Sequence, residues 1–579
     1  MKHTTDNFTK RMFFRLFIPS LASSFGLALA DMADAVVVGQ RMGATGLAAI
    51  SISLPLYMVL NVFMHGLGIG GSVRYSQLLG EGKATDAVNC FNRVMHAGLI
   101  VSVLIAALVN LFPNTFLQLL GTSTADGGLY EASKSYVCII ALGAPLFFLN
   151  YMLNYFLRND DNQRLASIGF LLGNIIDILF NLIFVLWLDM ETTGAALATL
   201  IGLAVSIVCY LPGMISKNHI LKPKFIKPNL REVLSCFRTG FATSSQYIFQ
   251  MLFLLICNNV LIRISGQNGL AVFDMVQNAS YLILYLYEGA AKAIQPLVST
   301  YHGEKNRTAA RHTLKLGLVW GLAAGGVATV LIWLFPSFIC GVFGLNGEAL
   351  TRLGTLALRI FGVSGAFAGI SILLETYYQS VNQERCAFTI TLMRGCIVLL
   401  PFTVLFSFLS IEWFWWLYPV NEILSLVLFF ILRHAAHWDA ASFDTARVFS
   451  LTIRGQNDDI LKLNNGIEAF CKRWNATPRQ QYFVTMAAEE VCVAIINNAF
   501  NRIKNGYIQV TLVALKDGNF ELHIRDNAEI FNPFSLQTGM VGNENDFDID
   551  AVGMMVIKKQ AKDFFYRQYQ GFNSLVVRI

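Results

Sequence analysis

Twelve windows of about 20 mostly apolar residues, each long enough to cross a bilayer as a helix, follow one another between residues 12 and 433. They lie near 12–38, 47–79, 88–112, 131–158, 164–188, 193–215, 235–263, 269–302, 310–334, 350–380, 386–408 and 412–433. Backbone polar groups in hydrocarbon must bond within the segment, so windows of this length leave only helices. With 55% hydrophobic and 14% charged residues over 579 positions, and a mean hydropathy of +0.53, the chain reads as a polytopic membrane protein and not as a soluble globule.

Lys and Arg gather in alternate loops. The N-terminus (Lys2, Lys10, Arg11) and the loops after even windows hold Arg74 and Lys83; Arg158 and Arg164; Lys217, Lys222, Lys224, Lys227 and Arg231; Lys305, Arg307 and Arg311; and Arg385. Loops after odd windows hold Arg41 and the border residue Arg263. The positive-inside rule then places both termini in the cytoplasm of a multi-pass protein of the cell (inner) membrane. The net charge of +6 resides largely in those loops and does not point to nucleic acid. Ten cysteines, scattered without a CxxC pair or an adjoining His cluster, read as small buried residues, with no metal site implied.

Against this background the run GLALADMADAVVVGQRMG, Gly26 to Gly43, stands out for Asp31 and Asp34. An ionised Asp at a bilayer centre costs about 2.5–3.5 kcal/mol on insertion scales. Window 5 adds Asn174, Asp177 and Asn181 at i, i+3 and i+7, one stripe of a helix; window 4 adds Asn150 and Asn154, and window 6 adds Thr199. Hydrogen bonds between helices account for the Asn and Thr residues taken alone. Asp34 and Asp177 point further, to an ion or substrate path. Each can be neutralised by a proton, by Na⁺ held among oxygen ligands, or by a cationic substrate, and competition among these is the logic of antiport. Glu288 and Lys292, at i and i+4, read as a mutual pair; Glu375, Arg394 and Glu422 receive no role.

A shift of 223 residues brings GATGLAA (Gly43 to Ala49) over GQNGLAV (Gly266 to Val272), Ser76 over Ser299, Gly80-Glu81 over Gly303-Glu304, and Ala87 over Ala310. The fold expected is therefore two parallel six-helix halves, 10–230 and 231–434, with a path between them. Ala28-Leu29-Ala30 resembles a signal-peptide cleavage site, but removing window 1 would break the six-plus-six scheme. Asp34 maps onto Cys257, so its role belongs to the first half alone.

Together, DMADAVVVGQRMGATGLAAISISLP, GLGIGGSVRYSQLLGEGKATDA, LRNDDNQRLASIGFLLGNIIDILFNLIF and AIQPLVSTYHGEKN resemble the multidrug and toxic compound extrusion (MATE) family over about residues 10–435. In its DinF-like branch the helix-1 Asp, here Asp34, helps form a protonation or Na⁺ site. The resemblance implies that Asn154, Asp177, Asn181 and Thr199 complete it and that Pro19 is a helix-1 bend. The family usually has Asn then Asp in helix 5, whereas this chain has Asp177 then Asn181.

After a polar linker, 435–446, the composition turns soluble. Residues 447–579 read as strand 447–453, helices 456–473 and 477–501, strands 507–515 and 519–525, a Gly/Asn/Asp-rich loop 537–550, helix 551–562 and strands 564–569 and 573–578: an α+β domain with helices on one face of a mixed or antiparallel sheet. AAEEVCVAIINNAF, IRDNAEIFNPFSL and the last 29 residues resemble the GHKL (Bergerat) ATP-binding domain, closest to anti-sigma-factor serine kinases. That resemblance puts Glu490 at the acid/base position, Asp526 at the adenine reader and Gly553 in the phosphate loop. The Mg²⁺-ligand Asn falls on Ala494; Asn498 lies one turn on and reaches the metal only by a register change. Ala528, Ile530 and Ala551 stand where the family has glycines.

The expectation is a secondary antiporter exporting organic, cationic compounds against H⁺ or Na⁺, with a cytoplasmic, degenerate ATP-binding regulatory domain that binds a regulatory protein or, weakly, Mg²⁺-ATP. The alternatives are a transporter-like sensor signalling through the C-terminal domain, and a flippase for lipid-linked substrates.

Overall fold

A computed structural model describes the backbone of residues 2–579 except 121–126, 161, 216–220, 228, 344–346, 437–444, 455–456, 501–505, 536–548 and 570–571, and the side chains outside these and outside 2–8, 31–36, 39–40, 42–48, 51, 215, 258–259, 262, 266–268, 270–271, 274, 445, 457, 549–551 and 569. Among the described residues ten helices are long and apolar enough to cross a membrane, and the bent pair Gly128–Leu142 and Ala144–Asn159, 48° apart, supplies an eleventh span. The bend falls where Pro145 has no N–H to return to the preceding turn and where any side chain on Gly143 would overlap Leu200. The remaining window, 269–302, is the far arm of the Leu230–Gly303 helix. It carries Gln277, Asn278, Glu288, Lys292 and Gln295, which make it less apolar than the other spans.

Helical backbone runs through Lys2–Gly80, 79 residues, and Leu230–Gly303, 74 residues. Straight helices of that length would reach about 110–120 Å. Yet Thr9 Oγ1 lies 3.3 Å from the Tyr301 hydroxyl, while Gly80 packs on Thr300 and Gly303 at the same end. Lys2–Gly80 therefore doubles back as spans 1 and 2. Leu230–Gly303 does the same as spans 7 and 8, since Cys236 meets Gly70 and Gly303 meets Gly80 on one arm.

Each half has its own core. Leu60, Phe91, Phe148 and Phe156 centre the first; Ile283, Tyr287, Phe361 and Trp415 belong to the second. Ile18, Leu104, Leu108, Val319 and Val327 are each more than half exposed, as side chains facing lipid should be. Where the halves meet, glycines allow backbone contact, the usual device when hydrocarbon offers no hydrophobic drive. Side chains on Gly70 or Gly240 would overlap the carbonyls of Cys236 and Gly66. Polar contacts continue the seam at this end: Gln77 Nε2 donates to Ser380 O (3.1 Å) and Asn382 Oδ1 (3.0 Å), and Gln295 Nε2 to Ser72 Oγ (3.1 Å). The repeat is visible in the backbone, because Gly82 (φ +75°) and Lys305 (φ 61°) occupy equivalent turns.

The C-terminal domain is a five-stranded sheet in the order β1-β2-β3-β5-β4, with β1 Val448–Ile453, β2 Ile508–Ala514, β3 Phe520–Asp526, β4 Asp563–Tyr569 and β5 Phe572–Arg578. Every pairing is antiparallel, which decides between the two sheet types left open by the sequence. One face packs Ile508, Val510, Leu512, Leu522, Ile524, Leu575 and Val577 against the helices Asn457–Arg473, Pro478–Ala499 and Ile549–Gln560. The middle helix begins with a capping box, Thr477 and Gln480, followed by Pro478 at its first position. Most of the loop expected at 537–550 and of the linker lies outside the described residues, and positions 549–550 already belong to the helix Ile549–Gln560. The opposite face of the sheet rests on the membrane bundle.

Candidate functional site

Span 5 is the Gln163–Asn181 helix, which widens into a π-helical turn at Leu182–Trp187. Such turns are frequent at functional sites, and this one starts directly after Asn181. Glycines draw span 5 onto span 6: a side chain on Gly202 would come within 2.9 Å of Asp177 Cβ and 2.7 Å of the Gly173 carbonyl oxygen. Asp177 is thus fixed in the crossing, 9% exposed, with Oδ1 accepting from Asn181 Nδ2 at 3.1 Å. Asn174 Nδ2, one turn away, has no hydrogen-bond partner among the described residues. The Thr199 hydroxyl donates to the Ala195 carbonyl at 3.2 Å. Asp31 and Asp34 lie outside the described side chains.

Asn154 belongs to a second cluster, built around a residue that charge counting misplaced. Arg158 reads in the sequence as a loop cation, but its side chain is buried, 1% exposed. Its Nε donates to Asn154 Oδ1 (2.7 Å), and its other nitrogens to Ser20 Oγ and Ser23 Oγ (3.0 Å each). Asn154 Nδ2 in turn donates to Ala166 O (3.0 Å) and the Tyr210 hydroxyl (3.1 Å). Spans 1, 4, 5 and 6 are clipped together there. Pro19 sits inside span 1 beside Ser20, so the missing proline N–H weakens the helix where Arg158 grips it. The only signal for this in the sequence is the spacing of Asn154 and Arg158, one helical turn.

The second half offers different chemistry. Lys292 pairs with Glu288 at 3.6 Å, as its spacing predicts, and also donates to Ser24 Oγ across the seam at 3.3 Å. Arg394 Nε meets Glu422 Oε1 at 2.6 Å, and Thr243 Oγ1 donates to Glu375 Oε1 at 2.8 Å. A His–Tyr contact escaped the sequence altogether. His65, in span 2, has its Nε2 2.9 Å from the Tyr247 hydroxyl of span 7 and its Nδ1 3.0 Å from Asn61 O. Neither residue belongs to a motif, and only the meeting of the halves joins them.

In the C-terminal domain Glu490 and Gly553 do come together. The glycine leaves space that any side chain would take from the Glu490 carboxylate. Asp526 is 2% exposed; its Oδ1 accepts from Asn573 Nδ2 (2.7 Å) and Ala528 N (2.9 Å). Burial pushes its carboxyl up to about 7, against the pull of those two donors. Ala494 is fully buried in the domain core, and Asn498 Nδ2 donates back to the Ala494 carbonyl at 2.9 Å.

A family model described as MatE matches residues 19–183 and 243–405, and one described as histidine kinase-like ATPase domain matches 455–579. Similar sequences include the multidrug export protein MepA of Staphylococcus saprophyticus, 24% identical over 380 residues, 63% of this chain and 81% of that protein. MepA of Staphylococcus haemolyticus is 24% identical over 406 residues, 68% and 88% of the two chains. Similar folds include an outward-facing multidrug resistance MATE family transporter of the MOP superfamily, with TM-score 0.69, 20% identity, and 75% and 96% of the two chains covered. A mutant of the Vibrio cholerae MATE transporter VcmN has TM-score 0.69, 20% identity, and 76% and 99% covered. With both halves of the bundle matched in sequence and the same architecture found in solved transporters, the chain is a multi-pass membrane protein of the MatE family that carries a C-terminal histidine kinase-like ATPase domain.

Proposed function

We propose that the protein is a secondary antiporter of the cell membrane that exports organic cations against H⁺ or Na⁺, with both termini and the C-terminal domain in the cytoplasm. The observation that carries this reading is Asp177, a carboxylate held inside the first half at the glycine-lined crossing of spans 5 and 6, bonded to Asn181 and followed by a π turn. An intramembrane carboxylate among neutral amides and hydroxyls can exchange a proton or Na⁺ for a cationic substrate. The relatives that bear the name multidrug export protein support the substrate class. Asp34 is proposed as the second carboxylate of the same site, with Thr199 as a flanking ligand and Pro19 as the bend that responds to it, while Asn154 serves the neighbouring Arg158 cluster. The test is efflux of a fluorescent organic cation from proteoliposomes under an imposed pH or Na⁺ gradient. Asp177→Asn should abolish gradient-driven efflux while leaving the protein folded, and efflux at the unsubstituted rate would overturn the coupling role.

The C-terminal domain is read as regulatory. Ala494, buried in the core, offers no oxygen to Mg²⁺, which favours weak nucleotide binding over phosphotransfer. Titration calorimetry of the full chain should find Mg²⁺-ATP binding weak or undetectable; tight binding would restore the kinase reading, with Glu490 as base, Asp526 at adenine, and Asn498 with Gly553 about metal and phosphate.

A further inference from the structure

The sheet face turned away from the domain's helices makes one continuous polar contact with the bundle, and its partners come from both halves. Loop 80–83 joins spans 2 and 3; its repeat equivalent, loop 303–306, joins spans 8 and 9. From the second-half loop, Glu304 forms a buried ion pair with Arg525 of β3. Lys305 Nζ is 3.4 Å from Glu521 of β3, and Asn306 Nδ2 donates to Thr511 Oγ1 of β2 at 3.4 Å. Arg525 also lies 4.9 Å over the ring of Tyr301. From the first-half loop, the Glu81 carbonyl accepts from Arg578 of β5, and Gly82 lies against Phe565 and Val576. Arg578 Nε is in turn 3.1 Å from Glu521. Lys305, Glu521, Arg578 and Glu81 thus form one ionic and hydrogen-bonded chain running from one half of the transporter to the other.

We infer that this face is an intramolecular clamp: docked, the C-terminal domain holds the two halves together at the end of the bundle that bears it, and the path cannot open on that side until the domain lifts or tilts. The inference rests on the transporter reading only for its functional meaning. Its mechanical content comes from the geometry. At this end the halves touch backbone to backbone at Gly80 and Gly303. Opening requires loops 80–83 and 303–306 to separate. Both are fixed to adjacent, hydrogen-bonded strands β3 and β5, whose spacing of about 4.8 Å a sheet cannot stretch. At least one set of contacts must break each time. The opposite face of β3 carries Asp526, the residue next to Arg525, so a ligand or protein engaging the domain's helical side sits one residue from the clamp.

Two native thiols report the state of this seam. Cys90 of span 3 and Cys236 of span 7 face each other across the halves with sulfurs 3.8 Å apart, both buried. In the full-length protein in detergent or nanodiscs, alkylation of the two by N-ethylmaleimide, followed by mass spectrometry, measures opening without any substrate. Arg525→Ala and Glu304→Gln should each raise the alkylation rate at least about fivefold, and raise efflux in proteoliposomes. Glu304→Gln preserves shape and serves if the arginine variant fails to fold. Unchanged alkylation in a folded variant overturns the clamp. Faster alkylation without any gradient-driven efflux in either protein upholds the clamp and refutes the antiporter reading instead.

Discussion

Asp177 and Asp526 are both buried carboxylates, and their surroundings give them different work. Asp177 lies among amides and glycines within a membrane span, where the proposed antiport would neutralise its charge with an ion that can leave. If it shares one ion with Asp34, losses in the Asp34→Asn and Asp177→Asn variants should not add: the double variant should transport little worse than either single one. Clearly additive losses would assign the residues to separate sites. Asp526 is instead tied to Asn573 and Ala528. Its folded value near 7 lies above the ordinary 3.8, so the folded domain holds more protons between those values and loses stability as pH rises through that window. Asp526→Asn removes the dependence. Hydrogen exchange of the β3 and β5 amides in the full chain should show the variant more protected than the unsubstituted protein at pH 8, by on the order of 2 kcal/mol, with the difference shrinking toward pH 5. A pH-independent difference would mean that Asp526 does not titrate there.

Among the elements, the membrane helices are placed by what their glycines permit. Gly303 meets Gly80 through Cα atoms and leaves no room for a side chain, whereas Gly326, on the Arg307–Leu334 helix, has nothing within 4 Å of where its Cβ would be. Gly303→Val should therefore force the two loops apart, accelerate alkylation of Cys90 and Cys236 several-fold and lower the thermal midpoint. Gly326→Ala should be neutral or stabilising by about 0.5–1 kcal/mol, the usual gain in helix propensity. Equal midpoints for the two variants would show that the crossing bears no load. The helical windows themselves were legible because bilayer thickness and internal hydrogen bonding dictate their length. Span 8 is one of the twelve apolar windows, and its place as the repeat partner of span 2 adds support where polar residues dilute its apolar character.

For the whole molecule, the clamp depends on Glu521, which touches residues bonded to both loops. Burial alone would push its carboxyl up, but His523, then Lys305 and Arg578, hold it down at about 2. A group depressed in the folded state contributes stability that is present above its ordinary value, 4.5, and is lost only as pH falls toward 2. Titration of Glu521 itself should thus leave docking unchanged between pH 5 and 8. Exchange protection of amides 80–83 and 303–306, corrected for intrinsic rates, should stay constant over that range; a loss of protection between pH 7 and 5 would place control of docking on another group.

The sequence by itself determined the bilayer spans, the duplication, the polar stripe of span 5 and the α+β domain, because each follows from local periodicity, composition or a short motif. The tertiary structure decided what depends on distant segments meeting. It buried Arg158 at the junction of spans 1, 4, 5 and 6, although a cation near a helix end reads as a loop residue. It set His65 against Tyr247 and Cys90 against Cys236, pairs separated by more than a hundred residues that no spacing rule connects. It also turned Arg525 and Arg578, two cations on alternating strand positions, toward loops 80–83 and 303–306. Strand alternation says that they share a face, but only the docking of the sheet says what that face holds.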